Sequence, residues 1–181
     1  MTTPTHVALI RGINVGGKNL VPMARLRDVL AARGFADVRT YIQSGNVVLG
    51  APGSSEADVT AVVEAALRED FGVDTVVVTV TADALHTAVS QAPPGFGEAP
   101  DEYRYDVVFL RPHVSPTEVH PLVRLREGVD DCWAGARVLY FRRLEARRTA
   151  SYLSKILALP TYKDMTIRNW RTTTTLAEMM D

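Results

Sequence analysis

A glycine-rich segment near the start of the chain carries the residues whose types and spacing best suit chemistry. Glycine and asparagine adopt positive φ at low cost, so such a segment can turn sharply and bring its amides close to a ligand. Consecutive amides can surround an anion, and a helix that follows adds positive potential. We therefore predict an anion-binding site here, against the alternative of a connection that only needs positive φ. Its residues are Arg11, Gly12, Asn14, Gly16, Gly17, Lys18 and Asn19.

The same segment has most of the spacing of a nucleotide-binding P-loop. Gly12, Gly17 and Lys18 fit that pattern, but Asn19 stands where a Ser or Thr hydroxyl would bind Mg²⁺. Pro22 also favours a helix start later than the motif requires. The sequence therefore argues against a nucleoside-triphosphatase.

A β-hairpin downstream is expected to place further polar groups beside this segment. Two β-rich runs, 38–43 and 46–49, flank a short Ser-Gly turn. In a ferredoxin-like sheet this turn lies at the same end as the glycine-rich segment, so we predict that the two loops touch. The alternative is that the polar residues only stabilise their own turn. The hairpin residues assigned to the site are Gln43, Ser44 and Asn46.

The apolar periodicity predicts the elements that position these loops. Residues 6–11 and 75–80 are β-rich runs, and the hairpin lies between them. One helix follows Pro22, and a second begins at a capping box over Ser55–Asp58. The resulting order, β-α-β-β-α-β, is that of a ferredoxin-like unit.

The second half of the chain repeats this order less regularly. We predict strands at 104–110 and 165–170, a hairpin over 129–141, and helices at 151–159 and 175–180. The fold class is therefore α+β, with two consecutive ferredoxin-like (βαββαβ) subdomains and a C-terminal helix. The predicted limits are 1–81 for the N-terminal subdomain, 82–103 for a connecting helix and Pro/Gly linker, and 104–181 for the C-terminal subdomain with its terminal helix.

A basic segment in the C-terminal half is the second candidate site. Residues 137–171 carry nine Arg or Lys side chains and two carboxylates, a net charge of +7, which leaves −8 for the rest of the chain. Aromatic residues are interleaved with these cations, a mixture that suits single-stranded nucleic acid. The alternative is a solvated surface with the aromatic residues in the core. The predicted nucleic-acid face consists of Arg142, Arg143, Arg147, Arg148 and Lys155.

Composition and length exclude several classes of protein. Of the 181 residues, 46% are apolar, which is typical of a globular protein. No apolar run is long enough to cross a membrane and the polar N-terminus has no signal-peptide core, so we expect a cytoplasmic protein without a membrane partner. Cys132 is the single cysteine and the four histidines lack metal-ligand spacing, so we predict no disulfide, no metal and no cofactor.

Three segments of the chain carry a family resemblance. They are residues 11–19 (Arg-Gly-Ile-Asn-Val-Gly-Gly-Lys-Asn), 41–48 (Tyr-Ile-Gln-Ser-Gly-Asn-Val-Val) and 166–170 (Thr-Ile-Arg-Asn-Trp). In this order and at these spacings they resemble the hallmark segments of domain-of-unknown-function family 1697. The resemblance implies two tandem ferredoxin-like subdomains and brings no catalytic residues with it. If the subdomains fold toward each other, the last segment adds Arg168, Asn169 and Trp170 to the binding site.

These observations leave three hypotheses for the function. The first is a binding module for an anionic, phosphate-bearing ligand, either nucleic acid or nucleotide-like. The second is an enzyme that acts on a small anionic metabolite in a cleft between the subdomains, which a deep cleft with a perturbed titratable group would favour. The third is an oligomeric scaffold that pairs through its sheet edges. A flat, continuous basic face would favour nucleic acid, and the oligomeric state stays open.

Overall fold

The computed structural model describes residues 4–181 and contains two four-stranded antiparallel sheets. In the first sheet the strand order is β2-β3-β1-β4. Two helices, α1 (Met23–Ala32) and α2 (Glu56–Phe71), connect the strands in the order β-α-β-β-α-β. This is the ferredoxin-like arrangement that the sequence predicts. The strands are β1 (His6–Ile10), β2 (Ala36–Tyr41), β3 (Asn46–Gly50) and β4 (Val77–Thr81).

The second sheet has the same topology, with the strand order β6-β7-β5-β8. Its first crossover contains a four-residue helix, α4 (Pro116–Val119), which gives way to a 3₁₀ turn at Pro121. The tandem α+β fold is thus confirmed. The strands are β5 (Tyr103–Leu110), β6 (Asp130–Ala134), β7 (Val138–Leu144) and β8 (Met165–Asn169).

The second crossover of this sheet differs from the prediction. The sequence predicts an α-helix over 151–159, whereas the structure has three short 3₁₀ segments. Extended backbone at Ser151 and at Leu159 interrupts the helical path, and Leu159 precedes a proline, which disfavours the α conformation. The segments are Glu145–Ala150, Leu153–Ala158 and Pro160–Asp164.

Two further helices, α3 (Ala82–Ser90) and α5 (Trp170–Glu178), follow the last strand of each sheet. Helix α5 begins at Trp170 rather than at residue 175, because Asn169 ends β8 and its Oδ1 accepts a hydrogen bond of 2.8 Å from the amide of Thr172. Among residues 4–181, no helix combines the length and the apolar character needed to cross a membrane.

The chain divides into two compact units, and one of them is discontinuous in sequence. The first comprises Met1–Leu85 and Thr175–Asp181, and the second comprises His86–Thr174. The sequence predicts instead that the whole terminal helix belongs to the second subdomain. The end of that helix is tied to the first unit by Arg39, whose Nη2 donates a hydrogen bond of 2.9 Å to the carbonyl of Met179.

The two units have cores of different composition. In the first, aliphatic side chains of β1, β3 and β4 pack against α1 and α2. The predicted capping box starts α2, with Ser55 Oγ accepting from the amide of Asp58. In the second, an aliphatic cluster around Val108 and Leu139 is supplemented by aromatic rings that pack around Phe96.

Candidate functional site

The glycine-rich segment between β1 and α1 folds into a tight turn. The amide of Lys18 donates to the carbonyl of Val15 at 3.1 Å, and the φ angles of Gly16 and Gly17 are +58° and +74°. Positive φ at both central residues is the mark of a type I′ hairpin turn. No hydrogen bond within residues 4–181 uses the amides of Gly16 and Gly17, and the Lys18 side chain is exposed. Gly16 and Gly17 therefore supply the positive φ angles that the turn needs, and their two amides remain exposed to solvent.

The predicted contact between this segment and the β2–β3 turn is confirmed. Asn14 Nδ2 donates to the carbonyl of Gln43 at 2.9 Å, and the amide of Ile10 donates to the carbonyl of Gly45 at 2.8 Å. Asn14 also exchanges hydrogen bonds with the backbone of Val21. The polar groups of Asn14 hold the two loops together.

The remaining polar residues of these loops divide into structural and exposed groups. Asn46 is fully buried, and its Nδ2 donates to the carbonyl of Tyr41 and to Ser44 Oγ, which is the local role that the alternative hypothesis assigns to it. Asn19 Nδ2 donates to the carbonyl of Gly12. Lys18 and Gln43 keep exposed side chains.

A cavity in the second unit is lined by arginine, aspartate and aromatic side chains. It has a volume of about 600 Å³, within the range of small-molecule sites. The cavity lies at the end of the second sheet, where β8 stops at Asn169 but the antiparallel neighbour β5 extends beyond that point to its first residue, Tyr103. The first turn of α5 also belongs to the cavity. It is lined by Gly97, Pro100, Tyr103, Arg104, Tyr105, Asp106, Arg143, Asn169, Trp170, Arg171 and Thr174.

Three arginines line this arginine pocket, and two of them are ion-paired. Arg104 makes a two-pronged ion pair with Glu145, with N–O distances of 2.5 and 3.2 Å. Arg143 Nη2 lies 3.2 Å from Asp106 Oδ2. Arg171, in the first turn of α5, is exposed, and its side chain has no ion pair or hydrogen bond within residues 4–181. Its charge adds to the positive end of the helix dipole.

Asp106 is the one carboxylate among the lining residues. Its side chain is 10% exposed, and burial raises its pKa, although Arg143 and Arg104 oppose that rise. Asp106 Oδ2 is paired with Arg143 Nη2, whereas the buried Arg143 Nε has no hydrogen-bond partner within residues 4–181. Buried polar atoms normally have a partner, so Arg143 Nε is an exception.

Aromatic side chains form one wall of the arginine pocket. The ring of Phe96 packs edge-to-face against Tyr105, Tyr140 and Trp170, with centroids 4.9, 5.3 and 5.2 Å apart. A Cβ on Gly97 would lie 2.2 Å from Trp170 Nε1, so only glycine lets the indole sit at this position. Tyr140 is a core residue, as one alternative predicts, and its hydroxyl donates to the carbonyl of Ala88.

The predicted nucleic-acid face is not continuous. Neighbouring residues of a strand point to opposite faces. Arg142 pairs with Asp131 at 2.7 Å and stacks on Tyr103 at 4.3 Å, while Arg143 points to the opposite face, toward Asp106. Arg147 and Arg148 are exposed in a 3₁₀ segment, where Arg148 pairs with Glu145.

Alternation along β8 also separates the predicted trio of residues 168–170. Asn169 and Trp170 line the arginine pocket, but Arg168 is 8% exposed and points to the other face of the sheet. Its Nη1 donates to Thr166 Oγ1 and to the carbonyl of Ile167, and burial lowers its pKa to about 10. Arg168 is therefore a buried cation rather than a pocket residue.

A second group of cations, which the sequence did not predict as a group, lies around Tyr152. Lys155 Nζ lies 5.9 Å from the centre of the Tyr152 ring, and the guanidinium carbons of Arg124 and Arg126 lie 5.7 and 5.5 Å from the same point. Both arginines precede the basic segment, so its charge count did not include them. Cys132 is unsuited to thiol chemistry, because burial raises its pKa to about 12.

Comparisons with known proteins identify a family and a fold. The family described as "Protein of unknown function (DUF1697)" matches residues 3–140 of the chain. The chain is similar to the solved structure of the conserved bacterial protein SP0830 from Streptococcus pneumoniae, with a TM-score of 0.83 and 25% sequence identity. That similarity covers 98% of this chain and 99% of the other. No curated protein matches the chain.

Proposed function

The chain belongs to the DUF1697 family of proteins of unknown function, and we propose that it is a binding module for a small, anionic, phosphate-bearing ligand. The observation that carries the proposal is the arginine pocket. Three arginines and the first turn of α5 line a cavity of about 600 Å³ that has a single carboxylate in its lining, and the Arg171 side chain has no ion pair within residues 4–181. Guanidinium groups bind phosphate and carboxylate oxygens with charge-assisted hydrogen bonds, and helix N-termini favour the same charge.

The aromatic wall points to a ligand that also carries a planar ring. Trp170 lines the same cavity as the arginines, and aromatic faces stack on nucleobases. The volume suits a mononucleotide better than inorganic phosphate alone. A nucleotide-like ligand therefore fits both the charge and the shape of the pocket.

The experiment is isothermal titration calorimetry of the full chain with adenosine and guanosine monophosphates, the matching nucleosides and inorganic phosphate. A monophosphate should bind more tightly than its nucleoside. Arg171→Gln should weaken that binding roughly 10-fold to 100-fold, the contribution of a hydrogen bond to a charged group. Arg147→Gln removes one exposed arginine outside the pocket and is the matched control. Equal losses in both variants, or no binding of either monophosphate, would contradict the proposal.

The glycine-rich segment is the second candidate contact for the same kind of ligand. The exposed amides of Gly16 and Gly17 and the exposed Lys18 side chain support it. Lys18→Ala should weaken nucleotide binding without lowering the melting temperature, because the side chain is solvated. An unchanged affinity would leave this segment with a purely architectural role.

A second candidate function is an enzyme that acts on a small anionic metabolite. Asp106 favours it, because a buried carboxyl with a raised pKa that lines a cavity has the properties of a general acid or base. The test is incubation of the chain with phosphorylated metabolites, followed by mass spectrometry. Asp106→Asn should retain binding and abolish any conversion. Conversion at the wild-type rate by Asp106→Asn would rule out this role.

A further inference from the structure

A second, independent cluster of functional side chains surrounds Tyr152 in the second unit. The Tyr152 cluster consists of Arg124, Arg126, Tyr152 and Lys155, with all three cations within 6 Å of the centre of the ring. Arg126 Nη1 also donates a hydrogen bond of 2.8 Å to the Tyr152 hydroxyl. None of the four residues lines the arginine pocket.

The three cations of the Tyr152 cluster outnumber the one negative charge of the Asp130 carboxylate beside them. Within residues 4–181, no carboxylate forms an ion pair with Arg124, Arg126 or Lys155. The three cations are exposed, and the cations around Tyr152 lower the pKa of its hydroxyl, with the hydrogen bond from Arg126 as the largest cause. Exposed, unpaired cations that converge on one point create a positive potential that attracts anions.

The backbone holds the Tyr152 cluster in place before any partner binds. Asp130 Oδ2 accepts one hydrogen bond of 2.9 Å from the amide of Arg126 and another of 2.8 Å from the amide of Tyr152. Asp130 is 7% exposed and belongs to β6. A strand of the sheet therefore fixes the spacing between the loop that carries Arg124 and Arg126 and the segment that carries Tyr152. A preformed arrangement loses little conformational entropy on binding.

Exposed leucines accompany the cations. Leu122, Leu125 and Leu157 have exposed fractions of 54%, 41% and 56% and lie in the same two chain segments as the cations. Apolar side chains beside cations suit either nucleobases or lipid. Membrane-surface binding is typical of a long amphipathic helix, whereas the cations here lie on a loop and on Leu153–Ala158, a six-residue 3₁₀ segment. A tyrosine ring ringed by cations is instead the pattern of single-stranded nucleic-acid binding.

We propose that the Tyr152 cluster binds single-stranded nucleic acid. Arg124, Arg126 and Lys155 contact successive phosphates, and a base stacks on the Tyr152 ring. This surface is distinct from the arginine pocket, so the inference goes beyond the proposed function and does not depend on it.

The test measures fluorescence anisotropy of a labelled 12-nucleotide oligouridine with the full chain between 50 and 200 mM salt, conditions chosen to give a salt slope. Tyr152→Ala should weaken binding roughly 5-fold to 150-fold, the range for loss of one base–aromatic stack, while Tyr152→Phe keeps the ring and should bind nearly as well as wild type. Arg124→Gln and Lys155→Gln should each reduce the slope of log K against log salt by about 0.7.

Two controls separate this surface from general charge effects. Arg27→Gln removes an exposed arginine of the first unit and should leave both the affinity and the salt slope unchanged. Arg171→Gln, which tests the arginine pocket, should leave oligouridine binding unchanged as well. The proposal is overturned by no binding at 50 mM salt, by equal losses in Arg27→Gln and Arg124→Gln, or by full affinity in Tyr152→Ala with an unchanged melting temperature. Sedimentation with anionic phosphatidylglycerol vesicles in the absence of oligouridine binding would assign the surface to lipid instead.

Discussion

The two units of this protein share one strand topology and differ in what fills the second crossover. In the first unit that crossover is the 16-residue helix α2, whereas in the second it consists of three 3₁₀ segments. The first unit closes its loops with asparagine side chains that bind backbone groups. The second keeps three arginines around a cavity. A ferredoxin-like sheet thus tolerates an irregular crossover, and in this chain the unit with that crossover also holds the arginine pocket.

The substitutions predicted to have the greatest effect compare how much the second crossover of each unit contributes to the stability of its core. Leu67 in α2 and Ile156 in the middle 3₁₀ segment are both almost completely buried. Leu67→Ala should lower the free energy of unfolding by about 2–5 kcal/mol. Ile156→Ala should lie at the lower end of that range, because an irregular segment can collapse onto the cavity. Urea denaturation of both variants measures the difference, and a larger loss for Ile156→Ala would reverse the comparison.

The next prediction compares two glycines, one in each unit, at which the backbone lies too close to a neighbouring residue to allow a Cβ. Gly45 and Gly97 both have φ of +89°, and a Cβ at either position would clash, with Ile10 in the first case and with Trp170 in the second. Each substitution to alanine should destabilise by about 1–3 kcal/mol. Only Gly97→Ala should displace the indole and change the tryptophan emission spectrum. Identical spectra for Gly97→Ala and wild type would show that the pocket wall is adaptable.

A smaller effect is predicted for the residues that precede the first turns of α2 and α4. Ser55 caps α2 with a full capping box, whereas Ser115 precedes α4 without a side-chain cap. Ser55→Ala should therefore cost about 1 kcal/mol, and Ser115→Ala should be close to neutral. Thermal unfolding of the two variants gives the comparison directly. A similar loss in both would mean that the cap does not explain why α2 is the longer helix.

The smallest expected effect is a gain in stability within the first unit. Ile42 has φ of +49° and is 51% exposed, so a β-branched residue occupies a left-handed conformation with little burial in return. Ile42→Asn should stabilise the protein by about 0.5–1 kcal/mol, since asparagine tolerates this conformation. Calorimetry measures the shift in melting temperature, and a decrease would mean that the Ile42 side chain makes a contact worth more than the strain.

The sequence was sufficient to predict the topology and the contact between the two loops of the first unit. Strand order follows from the alternation of short β-rich runs and helical spacing, and the loop contact follows from the topology. The 3₁₀ segments were not predictable, because nine residues with helical spacing do not distinguish an α-helix from consecutive 3₁₀ turns.

Prediction of the arginine pocket would have required knowledge of the sheet register. Arg104, Arg143 and Asn169 belong to three different strands that are far apart in sequence and meet only when β7 and β8 pair with β5. A local signal was present in Arg104 and Asp106, charged residues at alternate positions of an otherwise apolar strand. Such residues share one face of the strand, and a buried charge on that face needs a partner across the sheet.

The discontinuity of the first unit has a consequence for synthesis on the ribosome. Residues 175–181 complete that unit, and Leu176 and Met180 are buried in the folded protein. They emerge only after the whole second unit has been translated. The first unit is therefore completed only after residues 175–181 have emerged, with the partner carbonyl for Arg39 absent until then, whereas the strands of the first sheet and all residues of the second unit are translated earlier.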